Sequence, residues 1–381
     1  MTQIPARSSC QIPATTSPEM DPGIWSRLPE ELLERILALL PMKTFLNLRT
    51  TCKHFKFLLF SPSFLSQTKT PPLSSFILLS HPQFHNLFPL HDAFFNRWRM
   101  LSLSPTLPPK CASLRLVSAS NGRLCFSLPN SFLICNLLTK STKTIEFPRY
   151  PFTSTTLISA SPSSPRSSPS LHGYKIFSLC YSPLEYWAFV YDSRTEKWTR
   201  SESFDPILSQ NSHQDAVFFN GSLHFTTREP FSIVGFELDT GRWWKSTVEL
   251  PQELVFVRLV SDSNANNGNL YLVGGTGRDG ISENLKVWEL REGETKVAEI
   301  ASLPELMWRK FGSVCYHNYE HVYCLWHDGM VCVCCYTWPE ILVYKVGRKT
   351  WHSLSKCPFL PEKWSCGFRW FSFSPDFYAS V

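Results

Sequence analysis

The residues best suited to chemistry form one cluster of thiol and imidazole groups in the C-terminal part of the chain. Its members are Cys315, His317, His321, Cys324, His327, Cys332, Cys334 and Cys335. Cysteine and histidine are preferred ligands of Zn²⁺, which needs about four such groups converging at bonding distance. A metal centre is therefore the chemistry that this cluster could support.

The strand pattern around the cluster argues against zinc. Residues 322–326 and 330–336 have the pattern of two strands of a hairpin that turns at His327-Asp328-Gly329. Because successive side chains of a strand point to opposite faces, Cys332 and Cys335 should face away from each other. Free cysteines are commonly buried as small apolar residues. We therefore predict no bound metal and no cofactor.

The sequence also lacks the motifs of common enzyme classes. It contains no Gly-x-Ser-x-Gly elbow, no phosphate-binding loop and no His-Glu-x-x-His. Of its 11 histidines, those that do not belong to the cluster above are scattered along the chain. We therefore assign no catalytic residue and predict a chain without intrinsic catalysis.

Composition limits the remaining classes of protein. The chain has 381 residues, enough for about two domains. Only 18% of residues are charged, whereas 13 are Trp and 29 are Phe, a balance that favours buried strands. The formal net charge of +6 is mild and no block of Lys and Arg is present, so we expect no nucleic-acid partner.

The expected compartment is the nucleus, the cytoplasm or both. No run reaches the 18 or so apolar residues of a membrane span, and the N-terminal residues have no apolar leader segment. The odd number of 13 cysteines without such a leader indicates reduced thiols. We therefore expect no contact with a membrane.

The first element able to hold a partner is an amphipathic helical stretch from Ile24 to Leu59. Pro29 suits the first helical position. Glu30 and Glu31 follow in the first turn, where negative charge interacts favourably with the helix dipole. Apolar residues then recur at helical spacing and should form a single stripe. They are Leu32, Leu33, Ile36, Leu37 and Leu40.

The rest of this stretch predicts a compact three-helix unit. Glu34 and Arg35 should point away from the stripe, and Pro41 should end the first helix. A second helix should span residues 43–51, and a third short piece should carry Phe55, Leu58 and Leu59. Units below roughly 40 residues bury little surface, and an apolar face left over usually marks an interaction site.

This stretch resembles an F-box. The matching run is Leu28-Pro29-x-x-Leu32-Leu33-x-x-Ile36-Leu37-x-x-Leu40-Pro41, followed by Leu48-Arg49-x-x-Cys52-Lys53-x-Phe55. Phe55 stands where many F-boxes carry Trp. The resemblance implies docking on a Skp-type adaptor of a cullin–RING ubiquitin ligase. The residues implied at or just beneath that contact are Leu28, Pro29, Leu32, Leu33, Ile36, Leu40, Pro41, Leu48 and Cys52.

From about Leu73 onward the sequence predicts repeated strands. Segments of strand, polar turn and strand recur at intervals of about 50 residues, which is the period of kelch blades. Their aligned positions are Trp98, Ile145, Trp198, Trp243, Val297 and Trp351. We interpret the recurring tryptophans as core residues between blades and not as a ligand cage.

A second repeated element is Asn-Gly-x-Leu, which begins at Asn121, Asn220 and Asn267. Asn-Gly suits a tight hairpin turn with positive φ, and the alternation behind it predicts a half-buried inner strand. The third copy continues into Gly274-Gly275, the double glycine typical of kelch blades. These segments resemble the plant F-box/kelch-repeat family, which implies a degenerate kelch-type propeller of about six blades.

The predicted fold is therefore α+β and multidomain, with a small three-helix F-box ahead of an all-β propeller. The predicted segments are a disordered N-terminus (1–20), the F-box (21–67), a linker (68–72) and the propeller (73–381) with a disordered Ser-Pro-rich insertion (159–170). Residues 368–373 should add a strand to the first blade, near residues 76–79 or Trp98, and close the ring. Translation could start at Met1 or Met20 without losing any assigned role.

By resemblance, the chain would be the substrate-receptor subunit of an SCF-type ubiquitin ligase that binds an unidentified target protein. An alternative is a binding protein that uses the F-box outside any ligase, as a regulator or a competitor for the adaptor. Target recognition is expected on loops that cap the propeller. Candidate loops are residues 228–230, 278–280 and 308–310.

Overall fold

A computed structural model of the chain describes residues 23, 27–40, 48, 51–58, 61, 64, 75–85, 87–93, 95–103, 114–147, 152–159, 173–181, 186–201, 213–262, 268–291, 293–315, 317–354, 356–376 and 379–381. The chain divides into two compact units, Met1–Pro71 and Pro72–Val381. The finer boundaries predicted at 20, 67 and 72 lie outside the described residues. Within the described ranges, no helix has both the length and the apolar character needed to cross a membrane.

The N-terminal unit contains helices α1 (Glu30–Ala38) and α2 (Lys53–Leu58). Pro29 has φ −54° and ψ 142° and therefore occupies the N-cap of α1, not the predicted first helical position. Its carbonyl accepts the N–H groups of Leu32 and Leu33, each at 3.0 Å. Glu30 and Glu31 lie in the first turn, where their negative charges interact favourably with the positive end of the helix dipole.

The predicted end of α1 and the predicted second helix fall mostly outside the described residues. Pro41 is not described, and α1 ends at Ala38 with Leu39 as its C-cap. Of residues 43–51, Leu48 and Thr51 are described, and the Thr51 N–H donates to the Leu48 carbonyl at 2.9 Å. The third predicted piece corresponds to α2, although Leu59 is not described.

The C-terminal unit is a β-propeller of six four-stranded antiparallel blades. Blades 1 to 3 contain β1 (Phe76–Ser80), β2 (Leu87–Asp92), β3 (Arg97–Ser102), β4 (Arg115–Ser120), β5 (Arg123–Ser127), β6 (Ser131–Asn136), β7 (Ser141–Glu146), β8 (Phe152–Ser159), β9 (Tyr174–Tyr181), β10 (Tyr186–Asp192) and β11 (Lys197–Arg200).

Blades 4 to 6 follow in chain order, and the last strand returns to blade 1. These strands are β12 (Val217–Phe219), β13 (Ser222–Thr226), β14 (Ile233–Glu237), β15 (Trp243–Lys245), β16 (Leu254–Ser261), β17 (Leu270–Arg278), β18 (Ile281–Leu290), β19 (Ala298–Ser302), β20 (Val322–His327), β21 (Met330–Cys335), β22 (Trp338–Lys345), β23 (Thr350–Leu354) and β24 (Arg369–Phe373). Helix α3 (Glu305–Cys315) connects β19 to β20.

Strand β24 closes the ring, as predicted. It pairs antiparallel with β1, with Phe76 opposite Phe373 and Ser80 opposite Arg369. Blade 1 therefore has the order β24-β1-β2-β3, and its innermost strand comes from the other end of the propeller sequence. Of the two predicted neighbours, residues 76–79 pair with β24, whereas Trp98 lies in β3 at the outer edge. Strand β24 therefore gives blade 1 four strands, the same number as each of the other five blades.

The antiparallel order gives the propeller two distinct faces. Turns from the first to the second strand and from the third to the fourth strand lie on one face, which we call the lower face. Turns from the second to the third strand and the connections between blades lie on the other, upper face. The predicted Asn-Gly turns are on the lower face, where Asn121 (φ 36°), Gly122 (φ 76°), Asn220 (φ 45°) and Gly221 (φ 78°) have the predicted positive φ. Asn267 lies outside the described residues.

The inner strands are more deeply buried than predicted. In β5, Leu124, Cys125 and Phe126 are all inaccessible to solvent, although strict alternation would expose one face. Leu124 and Phe126 belong to the core shared with blade 1, whereas Cys125 belongs to the core shared with blade 3. The prediction of half-buried strands was wrong because each blade packs against a neighbour on both faces.

The aligned repeat positions lie in or beside the outermost strand of each blade. Trp198, Trp243 and Trp351 stand opposite Tyr191, Phe236 and Tyr344 of the third strands. Their ring centroids lie 5.4, 4.9 and 5.1 Å from those partners. Trp98 and Ile145 lie in β3 and β7, and Val297 immediately precedes β19. In blades 3, 4 and 6, therefore, an aromatic pair joins the third and the fourth strand.

The double glycine has a steric explanation. Gly274 and Gly275 lie in β17 opposite Val257 and Phe256 of β16. A Cβ on Gly274 would lie 2.7 Å from the carbonyl oxygen of Phe256, and a Cβ on Gly275 would lie 2.8 Å from Cδ1 of the Phe256 ring. The Phe256 ring in turn stacks on Tyr319 at 4.6 Å. Glycine at both positions therefore gives Phe256 room to fill the core.

The predicted Ser-Pro-rich insertion needs one correction at its start. Ser159 is the last residue of β8 and is buried, and its hydroxyl accepts hydrogen bonds from Ser120 and Arg123, each at 3.1 Å. Residues 160–170 lie outside the described part of the chain. Strand β8 therefore includes the first residue of the predicted insertion, because Ser and Pro content does not show where a strand ends.

Candidate functional site

The apolar residues of α1 form two faces and not one stripe. Leu37 is 4% exposed, and Leu33 and Leu40 are half-buried, so these three side chains face the interior of the unit. Leu32, Ile36 and Leu39 are 45%, 38% and 85% exposed. They follow i, i+4, i+7 spacing and therefore share one outer face of the helix. We call these three residues the exposed row.

Two charged residues of α1, Glu34 and Arg35, differ in solvent exposure. Arg35 is exposed beside the exposed row, whereas Glu34 is buried, contrary to the prediction that both point away from the apolar side chains. Glu34 follows Leu33 and precedes Leu37 on the turn that faces inward. The predicted orientation of Glu34 was wrong because its position on the helix, and not its charge, determines which way the side chain points.

The remaining predicted adaptor-contact residues are spread over the unit. Leu28 and Leu48 are half-buried, Pro29 and Cys52 are exposed, and Pro41 lies outside the described residues. Cys52 has a local structural role, because its Sγ accepts the Phe55 N–H at 3.4 Å and its carbonyl accepts the Lys56 N–H at 3.2 Å. These bonds satisfy donors in the first turn of α2, which would otherwise lack partners within the helix.

A cavity of about 1070 Å³ lies on the upper face of the propeller. It follows the upper edge of blade 2 and is also lined by β8 of blade 3, by Asp215 and by Arg369 of blade 1. Arg115 stands opposite Ser127, and Ser131 stands opposite Glu146, so the cavity runs outward from the first strand of blade 2 to its fourth. Three strand spacings of about 4.8 Å make this a length of about 14 Å.

The inner end of the cavity carries charged groups from blades 1 and 2 and from the connection between β11 and β12. The Arg369 guanidinium lies 3.5 Å from the Asp215 carboxylate, and Arg115 is close enough for its charge to act on both. Burial raises the pKa of Asp215 to about 6, although the two arginines oppose that shift. Burial also lowers the pKa of Arg115, and the charge of Arg369 lowers it further. The inner end of the cavity therefore holds two guanidinium groups and one carboxylate close together.

The segment 213–215 crosses the upper end of the central channel. The Gln214 side chain accepts the Cys324 N–H at 2.9 Å and donates to the Leu259 carbonyl at 3.3 Å, so it bridges blades 5 and 6. His213 stacks on Tyr336 at 4.2 Å, and burial, followed by the charge of Arg369, lowers its pKa to about 4. These contacts fix Asp215 beside Arg369.

The cysteines of the cysteine and histidine cluster are distributed between two cores. Cys324 and Cys335 belong to the core between blades 5 and 6, and Cys332 and Cys334 belong to the core between blades 6 and 1. Burial raises the pKa of all four thiols. Among the described residues, no group of three or more His, Cys, Asp or Glu side chains is arranged to hold a metal ion. The cluster therefore offers packing and no shared coordination point.

One of the three candidate recognition loops is a helix. Residues 308–310 lie within α3, where Trp308 is buried and packs on Phe311. Residues 228–230 and 278–280 are exposed turns on the upper face, between β13 and β14 and between β17 and β18. The prediction of a loop at residues 308–310 is wrong, because the buried residues of α3 recur at helical spacing between the polar ones.

Comparisons with known proteins add independent findings. An F-box domain profile matches residues 25–67. An F-box/kelch-repeat protein of Arabidopsis thaliana is 49% identical over 380 residues, which cover 97% of this chain and 91% of that protein. The protein UNUSUAL FLORAL ORGANS of Arabidopsis thaliana is 25% identical over 372 residues, which cover 89% of this chain and 80% of that protein.

Solved structures similar to the chain include a chain of a nidogen/laminin complex. It has a TM-score of 0.44 and 9% sequence identity, and the match covers 78% of this chain and 96% of that chain. An oligogalacturonate lyase in complex with manganese has a TM-score of 0.42 and 12% identity, with 75% and 80% covered.

Proposed function

The chain belongs to the plant F-box/kelch-repeat family, and on that basis we propose that it is the substrate-receptor subunit of an SCF-type cullin–RING ubiquitin ligase. The N-terminal unit binds a Skp-type adaptor, and the propeller binds the protein that is to be ubiquitinated. The chain contributes proximity, because holding both partners raises the local concentration of the target near the charged enzyme. No catalytic group of the chain is needed for this role.

The observation that carries the proposal is the exposed row on α1. Leu32, Ile36 and Leu39 stand on one helical face within the segment that matches the F-box profile. Burying one such side chain in a partner contributes about 1.5–3 kcal/mol. These three adjacent side chains therefore form an apolar surface that is available to a partner, while Leu33 and Leu37 face the inner side of the unit.

The test is a pull-down of a purified Skp-type adaptor by the full chain. The double variant Leu32→Asp/Ile36→Asp puts two charges on the exposed row and should abolish adaptor binding. The matched control Glu30→Gln changes an exposed polar residue on another side of the same helix and should retain adaptor binding. Undiminished adaptor binding by the Asp variant would refute the proposed contact.

A second measurement separates a ligase subunit from a non-ligase binding protein. The wild-type chain should co-purify with a cullin as well as with the adaptor, and at least one protein should accumulate when the chain is removed. Adaptor binding without cullin, and without an accumulating protein, would instead support a role as regulator or competitor for the adaptor.

A further inference from the structure

The upper-face cavity combines one cation that is free to bind a ligand with a rigid aromatic wall. The Arg115 guanidinium makes no hydrogen bond or ion pair with the side chain or backbone of any described residue, although its charge acts on Asp215 and Arg369. Arg369 is paired with Asp215, and its Nε is buried without a hydrogen-bond partner among the described residues. The inner end of the cavity thus has one carboxylate for two guanidinium groups, which leaves an excess of positive charge.

The outer part of the cavity is apolar on one side. Phe132 lines the cavity and is 1% exposed. The centroid of its ring lies 4.3 Å from that of Phe147. Phe147 packs edge-on against Phe152 at 4.4 Å. Phe147 and Phe152 are half-buried and line the cavity, so part of each ring is available for contact. Because the three rings hold one another, they present a preformed surface for a large apolar side chain.

Hydroxyl and amide groups occupy the middle of the cavity. Ser127, Asn130 and Ser131 lie on the blade 2 side, and Ser154 and Thr155 lie on the β8 side. Such groups can hydrogen-bond a peptide backbone from both sides. At about 3.3 Å per residue, a groove of about 14 Å accommodates about four residues of extended chain. The dimensions therefore match a short linear segment.

We propose that this cavity binds an extended segment of the target protein in which an acidic side chain lies about three to four residues before or after a large apolar one. The carboxylate is bound by Arg115, with Arg369 as its second donor, and the apolar side chain lies on Phe147 and Phe152. This inference rests on the proposed role of the propeller as the target-binding unit, and it names the chemical class of the bound segment.

The charge of Glu146 determines which end of the cavity takes the acidic residue. Glu146 is exposed at the outer end of the cavity, next to Phe147 and about three strands away from Arg115. A second acidic residue beside the apolar one would therefore be repelled. The cavity therefore favours a segment that has an acidic residue at the inner end of the cavity and none at the outer end.

The test is selection of peptides from a displayed random library on the full chain, followed by fluorescence polarisation with the recovered peptides. Enriched peptides should pair Asp or Glu with an aromatic residue or Leu. Arg115→Gln should weaken their binding by about tenfold or more, because a hydrogen-bonded charge contact is lost. Arg369→Lys, which keeps the charge but loses the fork geometry, should weaken binding to a smaller extent.

Two further variants make the result specific to the cavity. Arg242→Gln removes an exposed arginine from the lower face and should leave peptide binding unchanged. Glu146→Gln should improve the binding of peptides that carry a second acidic residue beside the apolar one. An unchanged melting temperature of each variant excludes unfolding as the cause.

Recovery of no peptides, recovery of peptides without acidic residues, or equal binding by wild type and Arg115→Gln would overturn the proposal. These outcomes are independent of the proposed ligase role, which is decided by the adaptor pull-down. A chain that binds acidic peptides but no adaptor would keep the cavity assignment and refute the ligase assignment.

Discussion

The hydroxyl group of Tyr323 in blade 6 accepts the Trp370 N–H at 2.8 Å and donates to the Phe368 carbonyl at 3.0 Å. Trp370 lies in β24, the strand that completes blade 1. A single side chain therefore ties the last blade to the strand that closes the ring. Since both partners are backbone groups and Tyr323 is buried, the bond pair satisfies polar atoms that solvent does not reach.

Replacing Tyr323 by Phe should lower the free energy of unfolding by about 1–3 kcal/mol, because two buried backbone groups lose their partner. Chemical denaturation of the full chain, followed by Trp fluorescence, measures this loss. Tyr336→Phe is a matched control, since no hydrogen bond of the Tyr336 hydroxyl joins it to a described residue, and it should change stability by less than about 0.5 kcal/mol. Equal stability of Tyr323→Phe and wild type would show that closure does not depend on this bond pair.

The propeller was predictable from the sequence because each blade repeats the same local requirements. Asn121-Gly122 and Asn220-Gly221 specify tight turns through backbone geometry, and Trp198, Trp243 and Trp351 mark the outer strands. Such signals are local and need no knowledge of neighbouring blades. The burial of β5 on both faces was missed because it depends on neighbours that alternation within one strand does not report.

The upper-face cavity could not be predicted in the same way. Arg115 and Arg369 lie in strands of blades 2 and 1, Asp215 lies in the connection between β11 and β12, and none of the three lies in a repeated motif. Only ring closure by β24 brings Arg369 beside Asp215. On α1, the sequence indicated which residues are apolar, but the division into an inner and an outer face required the packing of the whole unit.

Gly275→Ala should destabilise the propeller by about 1–3 kcal/mol, because the added methyl group overlaps the Phe256 ring and forces the core to shift. The loss is measured by chemical denaturation. Gly347→Ala is the control, since a Cβ at Gly347 meets no atom within 4 Å, and it should be neutral or slightly stabilising. Similar effects of the two substitutions would contradict the steric explanation of the double glycine.

His327 should make the stability of the propeller depend on pH. It is buried, and its Nδ1 lies 2.9 Å from the Ser372 hydroxyl of β24. Burial lowers its pKa from 6.5 to about 4, while the charge of Asp328 opposes this shift and His91 adds to it. The unfolded chain therefore binds the proton more readily, and stability should fall as pH drops from about 6.5 to about 4.

The expected loss that His327 contributes between pH 7 and pH 5 is about 2 kcal/mol. His213, with a pKa lowered to about 4, adds to the loss, and Asp215, with a pKa raised to about 6, opposes it. The measurement is therefore the difference in slope between wild type and His327→Gln in denaturation at several pH values. His54→Gln, at an exposed position, should keep the wild-type slope; an unchanged slope for His327→Gln would contradict the assignment.

The neighbouring tryptophans of β15 should differ in their effect on stability. Trp243 packs on Phe236 at 4.9 Å and Phe225 at 5.5 Å, whereas Trp244 is 39% exposed. Trp243→Ala should therefore cost about 3 kcal/mol, and Trp244→Ala about 1 kcal/mol. Thermal and chemical denaturation of the two variants provide the comparison. A larger loss for Trp244→Ala would mean that the repeat position is not the one that stabilises the blade.

Adjacent leucines of α1 should separate adaptor binding from folding of the N-terminal unit. Leu33→Asp puts a charge on the inner face and should open α1, because an unpaired charge among apolar side chains is strongly unfavourable. Leu32→Asp changes the exposed row and should leave the helix intact while it weakens adaptor binding. Hydrogen exchange of the α1 amides, measured by mass spectrometry on the full chain, should show loss of protection in Leu33→Asp only. Loss of protection in both variants would mean that the exposed row also holds the unit together and is not free for a partner.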